Sequence, residues 1–413
     1  MTSATAGKCN PTDFTAGARL FGGNRMKLGV MAFNCSSGSA ITTVDERWKL
    51  TWPDTVTIAQ AVDAAGMEAI LPVARWRGYG GTSNFNNATY ESFTWASALG
   101  ALTRYVSVLA TVHVTLVHPV MAAKMAATID HVTDGRFLMN VVCGWFKDEL
   151  EMFGSQALRS HEDRYKYAAE WLAFVRRAWT EECEFDYDTD NFHARAVWSQ
   201  PKPVQRPYPP VMNAGASAAA EDFTTRFCEM NFSVIKDRNS FEGARQQIAR
   251  LKEMARSHGR DLKVWVHAYV VCRSSAKEAR EYLNYYVRQK GDAEAADNLL
   301  RVFGMQVQSL DPKKLHEYRE HFIAGHGGYP LVGTPTQIVD ELTQLADIGV
   351  DGCLLSFVDY TREVAQWIKE VLPLTEQAGL RDPFTASQES AGLNSPGRRG
   401  LLDQREVLHE SPT

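Results

Sequence analysis

No Gly-x-Gly-x-x-Gly follows an apolar strand in this chain and no Gly-x-x-x-x-Gly-Lys-Ser/Thr occurs, so neither a dinucleotide fingerprint nor a nucleotide-hydrolase phosphate loop is present. Cysteine is sparse. Cys9, Cys35, Cys143, Cys183, Cys228, Cys272 and Cys353 make an odd set of seven without a Cys-x-x-Cys pair, which fits a reducing cytoplasm better than a disulfide framework. No apolar run approaches the roughly 18 residues of a membrane span, and Met1 to Arg25 lacks the charged and apolar regions of a secretory signal. A cytoplasmic protein without membrane contact is expected. Positive charge is not in excess, with 44 Lys and Arg against 49 Asp and Glu, so no basic stripe for a nucleic-acid backbone is expected. The His-x-His and His-Glu-x-x-His patterns are absent, and a metal site is not expected.

What is present is an ordinary globular composition over 413 residues, 45% hydrophobic and 23% charged. Short apolar runs alternate with longer helical patterns. The runs fall at 27–33, 69–72, 106–112, 137–142, 211–214, 231–235, 264–271 and 352–357. Eight runs in a βα order predict an α/β fold of the (β/α)8 TIM-barrel type, and runs without alternation suit parallel strands covered on both faces. Helix signals lie between them: Pro53 opens a helix stopped at Gly66, Pro119 opens one running toward Val132, and Thr334-Pro335 opens one stopped at Gly349. Gly135 is expected as a helix C-cap.

Two insertions are predicted, one after helix 4 and one after strand 7. In the first, the acidic and aromatic stretch 181–188 reads as part of a small hairpin, followed by a proline-set run over 200–210. The second, 289–330, holds helices and then Ala324-Gly-His-Gly-Gly-Tyr-Pro330, read either as a lid over the barrel mouth or as a surface insertion. The expected organisation is an extension over 1–26, a barrel domain over 27–381 and a polar tail over 382–413.

Chemistry on such a barrel belongs at strand C-termini. Asn140-Val-Val-Cys-Gly-Trp145-Phe-Lys-Asp-Glu149 runs from a buried strand into a glycine turn carrying an amide, an indole and a carboxylate. A buried amide needs a partner, either backbone or ligand. Glu149 reads as a solvated helix residue or as an acceptor toward a ligand. Arg75, Trp76 and Arg77 follow the second strand and crowd the rim, or lie on a solvated loop. Arg164 with Tyr165 opens a helix and can meet a phosphate. Ala214-Gly215-Ala-Ser217 leads into another helix whose N-terminus favours an anion, with Ser217 as N-cap in either reading. His113 and His118 lie five residues apart at the third strand's end and His267 lies inside the seventh strand. Each is a candidate for substrate contact or for a satisfied core position. Cys143 reads as a nucleophile or as a small packing residue.

Arg77-Gly-Tyr-Gly-Gly81, Glu91-Ser-Phe-Thr94, Met125-Ala-Ala-Thr-Ile-Asp130, Gly135-Arg-Phe137, Asn140, Gly144-Trp145, Lys147, Glu149, Arg164-Tyr165 and Ala214-Gly215 occur in an order and spacing that resembles the bacterial-luciferase-like family of flavin-dependent monooxygenases. The resemblance spans roughly 27–373 and is closest to the branch of pyrimidine, dimethylsulfone and alkanesulfonate monooxygenases. It implies reduced FMN as cofactor, supplied by a separate NAD(P)H-dependent flavin reductase, and O2 as co-substrate activated as a flavin peroxide at C4a or N5. The products would be those of oxygenating or cleaving a small organic substrate in a degradative pathway. It implies cofactor contacts at Ala74, Arg75, Asn140, Glu149, Arg164, Tyr165, Gly215 and Ser217, catalytic roles for His113, Asn140 and Trp145, and a substrate pocket including Phe33, Trp76, His118 and His267. Trp95 joins the expected apolar wall, and a homodimer or homotetramer is implied. A deazaflavin (F420)-dependent oxidoreductase on the same fold is the alternative. His113 and the loop Asn34-Cys-Ser-Ser-Gly-Ser-Ala-Ile-Thr42 depart from the pyrimidine enzymes, so the substrate pocket is not a copy of theirs.

Overall fold

The computed structural model describes residues 18–144, 146–154, 161–215, 217–233, 235, 241–305, 307 and 311–385. The strands, in chain order, are β1 Lys27–Met31, β2 Ala69–Leu71, β3 Ser107–His113, β4 Phe137–Val142, β5 Phe185–Asp188, β6 His193–Val197, β7 Val211–Asn213, β8 Met230–Ser233, β9 Lys263–Cys272, β10 Tyr329–Gly333 and β11 Gly352–Ser356. Parallel pairing runs β1-β2-β3-β4-β7-β8-β9-β11, and β11 returns to β1, closing an eight-stranded barrel ringed by helices. Each of the eight apolar runs of the sequence is one of its staves.

The barrel is filled from below. Leu109, Leu138, Met212, Met230, Trp265 and Leu354 form one buried cluster with Leu20 of the Ala18–Phe21 helix, which lies against the strand N-termini. Trp265 fits because its neighbour has no side chain: a Cβ on Gly352 would stand 2.5 Å from the indole. The base is tied by a buried charge network. Glu68, without solvent exposure, accepts from the Leu28 N–H at 2.8 Å, Arg381 at 2.7 Å and Asn24 at 2.6 Å. Arg381 also donates to the Gly66 carbonyl at 2.7 Å.

Both expected insertions are found. The β5–β6 hairpin follows the His161–Thr180 helix and stacks Tyr187 on Phe174 at 4.3 Å. The insertion after β9 contains helices Ala276–Asn284, Ala293–Val302 and Pro312–Gly325. It ends in a strand, β10, that begins inside the glycine-rich stretch read as a lid or a surface insertion. β10 pairs in parallel with the second half of β9, Tyr329 opposite Ala268 through Gly333 opposite Cys272, beyond the Lys263–Val266 stretch that pairs with β8, while β11 pairs with Trp265–Tyr269. Pro330 disguised it, since proline sits in strands only where no ladder hydrogen bond is lost, and β10 is at an edge. The segment at 325–329 is therefore part of the wall: a Cβ on Gly325 would meet Tyr269 at 2.4 Å, and one on Gly328 would meet His267 at 2.8 Å. The helix expected to cap at Gly135 ends at Val132 with Thr133 as its cap, and Gly135 (φ 74°) sits two residues beyond. Among the described residues no helix is long and apolar enough to cross a membrane.

Removing Arg381 leaves the Glu68 carboxylate buried and uncompensated, a change that costs about 3–5 kcal/mol. Arg381→Ala is expected to lower the denaturation midpoint accordingly, with Glu68→Gln in the same background recovering part of the loss. An unchanged midpoint in Arg381→Ala would show that the base network contributes nothing.

Candidate functional site

Above the filled layer the inward positions of the strands turn polar. On β3 the inward series Leu109, Thr111, His113 and on β4 the series Leu138, Asn140, Val142 rise from the packed core into a cavity of about 610 Å³ at the C-terminal end of the barrel. Ala74, Arg75, His113, Asn140, Arg164, Tyr165 and His267 all line it. Trp145 lies outside the described residues.

Asn140 is fixed by a directed chain. Thr111 Oγ1 has one proton, which it gives to the Pro72 carbonyl at 2.7 Å, so it accepts from Asn140 Nδ2 at 3.0 Å. That leaves Asn140 Oδ1 buried and without a partner among the described residues. An orphaned acceptor costs about 1–3 kcal/mol, and here it borders the cavity.

A second unsatisfied group borders it near the start of the His161–Thr180 helix. Arg164 donates through Nη1 to the Gly144 carbonyl, while its Nε is buried without a partner among the described residues. Tyr165 is hydrogen-bonded to the Ser217 side chain, and burial pushes its phenol up to about 12, so it remains a donor at neutral pH. Ser217 Oγ accepts from the Ala220 N–H at 3.3 Å and caps the ten-residue Ala218–Phe227 helix. Gly215 makes room for this approach, since a Cβ there would be 2.7 Å from Tyr165 Oη. Guanidinium, phenol and helix N-terminus thus form a cradle for an anion. Gly215 and Ser217 support the cradle from behind Ala214, which itself lines the cavity.

Glu149 does not line this cavity. Its buried carboxylate is occupied by the loop after β2: Arg75 at 3.0 Å, the Trp76 N–H at 2.7 Å and the Arg77 N–H at 3.4 Å. Burial pushes this carboxyl up, against the opposing pull of Arg75 and the two N–H groups. The same contacts turn Trp76 outward, where it is 43% exposed and meets Phe153 edge-on at 5.0 Å.

Phe33 and His118 also lie away from the cavity. Phe33 turns from the barrel axis into the layer between strands and helices, with no solvent exposure and its ring 5.1 Å from Trp95. Trp95 belongs to that same core layer. His118 caps the Pro119–Val132 helix by accepting from the Val120 N–H at 3.3 Å.

The far wall contains residues that the sequence reading did not single out: Tyr79 and Phe85 from the loop after β2, and Phe303, Tyr318, His321 and His326 from the insertion. His321 and His326 close to the Gly327-Gly328 pair carried the only available signal. No group of three or more His, Cys, Asp or Glu is arranged to hold a metal ion among the described residues. Cys143 lines the cavity, but burial pushes its thiol up to about 12, which suits packing better than nucleophilic attack.

The luciferase-like monooxygenase family model matches residues 26–352. The chain is 31% identical over 354 residues to the FMNH(2)-dependent dimethylsulfone monooxygenase of Pseudomonas putida, covering 83% of this chain and 93% of that one. It is 28% identical to the pyrimidine monooxygenase of Escherichia coli K12, covering 85% and 92%. Among solved structures, a riboflavin lyase with modified FMN and riboflavin superposes with a TM-score of 0.77 at 20% identity, covering 90% of this chain and 96% of that one, a likeness of fold.

Burial holds His113 and His267 down to about 3, and His326 to about 4, with the Arg75 charge adding to the effect at His113 and His326. Against an unfolded value of about 6.5, the unfolded chain takes up protons that the folded chain refuses once pH falls below that value. These groups therefore favour the fold above about pH 6.5, and their contribution is lost as pH falls toward 4 and then 3. The expected outcome is that the three ring resonances stay constant in NMR between pH 8 and 5 while the melting temperature begins to fall below pH 6.5. A His113 ring titrating near 6.5 would contradict the assignment.

Proposed function

The chain belongs to the luciferase-like monooxygenase family, and from that premise we propose that its barrel cavity binds reduced FMN, received from a separate NAD(P)H-dependent flavin reductase, and uses it with O2 on a small organic substrate. The observation that carries this reading is the pair of unsatisfied polar groups bordering one cavity. Asn140 Oδ1 offers an acceptor for a ring N–H, and Arg164 Nε with Tyr165 and the Ser217 turn offers donors for a phosphate. The groups fit the two polar ends of FMN. Bound there, reduced FMN would supply the two electrons that let O2 transfer one oxygen atom to a substrate.

The chain's own part is positioning and exclusion of water. Thr111 sets the Asn140 amide by engaging its NH2, which leaves the oxygen of this cavity-lining residue as the unpartnered acceptor among the described residues. Arg164 is steadied by the Gly144 carbonyl at the turn after β4, which couples the anion cradle to the strand that carries Asn140. Glu149 acts behind the wall, holding the Ala74–Arg75 segment in place. His113, neutral and flush with the upper edge of β3, can donate through one ring nitrogen and accept through the other, and we assign it to the substrate side of the site. Dry, apolar walls suit this chemistry because reduced flavin loses its electrons unproductively when oxygen and water have free access. The relatives named above act on a sulfone and on pyrimidines, which makes both classes reasonable first substrates.

Anaerobic titration with reduced FMN followed by rapid mixing with oxygenated buffer tests the reading. The wild-type chain is expected to bind reduced FMN and to slow its reoxidation. Arg164→Ala is expected to weaken binding about 10- to 100-fold, the worth of a hydrogen bond to a charged group at about 1.5–3 kcal/mol. Asn140→Leu is expected to weaken binding about 5- to 100-fold, because the ring N–H loses its acceptor at a cost of about 1–3 kcal/mol, and to reoxidise faster. If reduced FMN does not bind, or reoxidises as it does free in solution, the reading fails and a reduced deazaflavin becomes the cofactor to test.

A further inference from the structure

The cavity has lining residues beyond the two flavin-directed groups. Across it from Asn140 and Arg164 stands a wall contributed by β9 and the insertion, on which His267, His321 and His326 face the same space. His326 is held there against its backbone preference. It follows the Pro312–Gly325 helix in a left-handed conformation (φ 49°, ψ 37°), the position where glycine is the usual residue, and two glycines come directly after it. A non-glycine residue in that region is uncommon and tends to mark a functional position. The conformation places the imidazole among Phe85, Phe303 and Phe322, with ring centroids at 5.9, 6.1 and 6.1 Å.

His267 is oriented with equal care. Its Nε2 meets Ser356 Oγ at 2.8 Å, and Gly328 packs its backbone beside Nδ1, where a Cβ would stand only 2.8 Å away. Among the described residues lining the cavity the guanidinium cations are Arg75 and Arg164, no carboxylate lines it, and Arg75 is paired with Glu149 while Arg164 lies on the opposite side at the Gly144 carbonyl. The three histidines do not converge as metal ligands. Burial keeps His267 and His326 uncharged at neutral pH.

We propose that this histidine wall is the substrate end of the cavity and that it receives an uncharged molecule with an acceptor oxygen, of the carbonyl or sulfonyl kind, on an apolar or aromatic body. A neutral imidazole can donate to such an oxygen, and the surrounding phenyl rings cover the body. A carboxylate or sulfonate of the same shape would be desolvated here without a cation to meet it. His326 is in this view a specificity-determining residue.

The inference rests on the flavin reading, and one set of samples separates the two. The full chain is loaded anaerobically with reduced FMN, whose dissociation constant is recorded. Binding of two shape-matched pairs is then measured by equilibrium dialysis: benzamide against benzoate, and methyl phenyl sulfone against benzenesulfonate. The uncharged member of each pair is expected to bind at least tenfold tighter. His326→Asn, which tolerates the left-handed backbone, is expected to weaken the uncharged members about tenfold while the reduced-FMN constant stays within twofold. Equal or tighter binding of the anion in either pair, no binding of either uncharged probe, or an unaffected His326→Asn overturns the substrate class and leaves the flavin reading standing. Absence of reduced-FMN binding overturns both.

Discussion

The buried pair of Arg75 and Glu149 is the contact on which the site depends. Neither side chain is more than 8% exposed, and a pair so desolvated adds little net stability by itself. Its value is geometric. The Glu149 carboxylate also gathers the Trp76 and Arg77 N–H groups, so one residue after β4 fixes the course of the loop after β2. That loop supplies Ala74, Tyr79 and Phe85 to the cavity. The guanidinium is left within 5.5 and 5.7 Å of the Tyr79 and Phe146 rings, and those two rings stack at 5.3 Å. The Arg75 charge is balanced at the edge of the cavity, and burial, with a further push from that guanidinium, keeps His113 and His326 neutral.

The length of β9 supplies the second constraint. A strand of ten residues is longer than its barrel neighbours require: β8 pairs with Lys263–Val266 and β11 with Trp265–Tyr269, and β10 pairs with Ala268–Cys272. The insertion is thereby brought back onto the rim as a paired strand, and its helices are held over the mouth. Tyr79 is reached by Asn298 of the insertion at 2.7 Å, and Thr42 of the loop after β1 donates to the Tyr286 carbonyl at 2.9 Å. These contacts tie the far wall to the barrel, which favours a preformed pocket over one assembled by closure.

Much of the fold was legible because barrel strands are buried on both faces and read as unbroken apolar runs. The motifs that suggested the family were also legible, yet several of them are structural. Glu91 caps the Ser92–Leu102 helix through the Phe93 and Thr94 N–H groups. Asp130 holds Gln205 by two hydrogen bonds, and Arg136 is spent on the carbonyls of Gly100, Thr103 and Val106. Their spacing marks a scaffold, and function follows from it only through the residues placed at its rim. Phe33, Trp76 and His118 were misleading for a common reason: residue type and proximity to a strand end do not reveal which way a loop turns a side chain. His326 was hidden for the opposite reason, since its position depends on a left-handed backbone that only the folded chain displays.

The two orphaned polar atoms give the arrangement its direction. Asn140 Oδ1 and Arg164 Nε each lack a partner among the described residues, and each represents a cost of about 1–3 kcal/mol carried by the surrounding fold. Satisfying them internally would have been simple, because Thr111 and Gly144 already approach closely enough to bond the other atoms of the same side chains. Those neighbours instead hold two cavity-lining side chains with these atoms left unpartnered among the described residues. A ligand carrying a ring N–H at one end and an anion at the other recovers both costs at once, whereas a ligand carrying only one of them leaves the second unanswered.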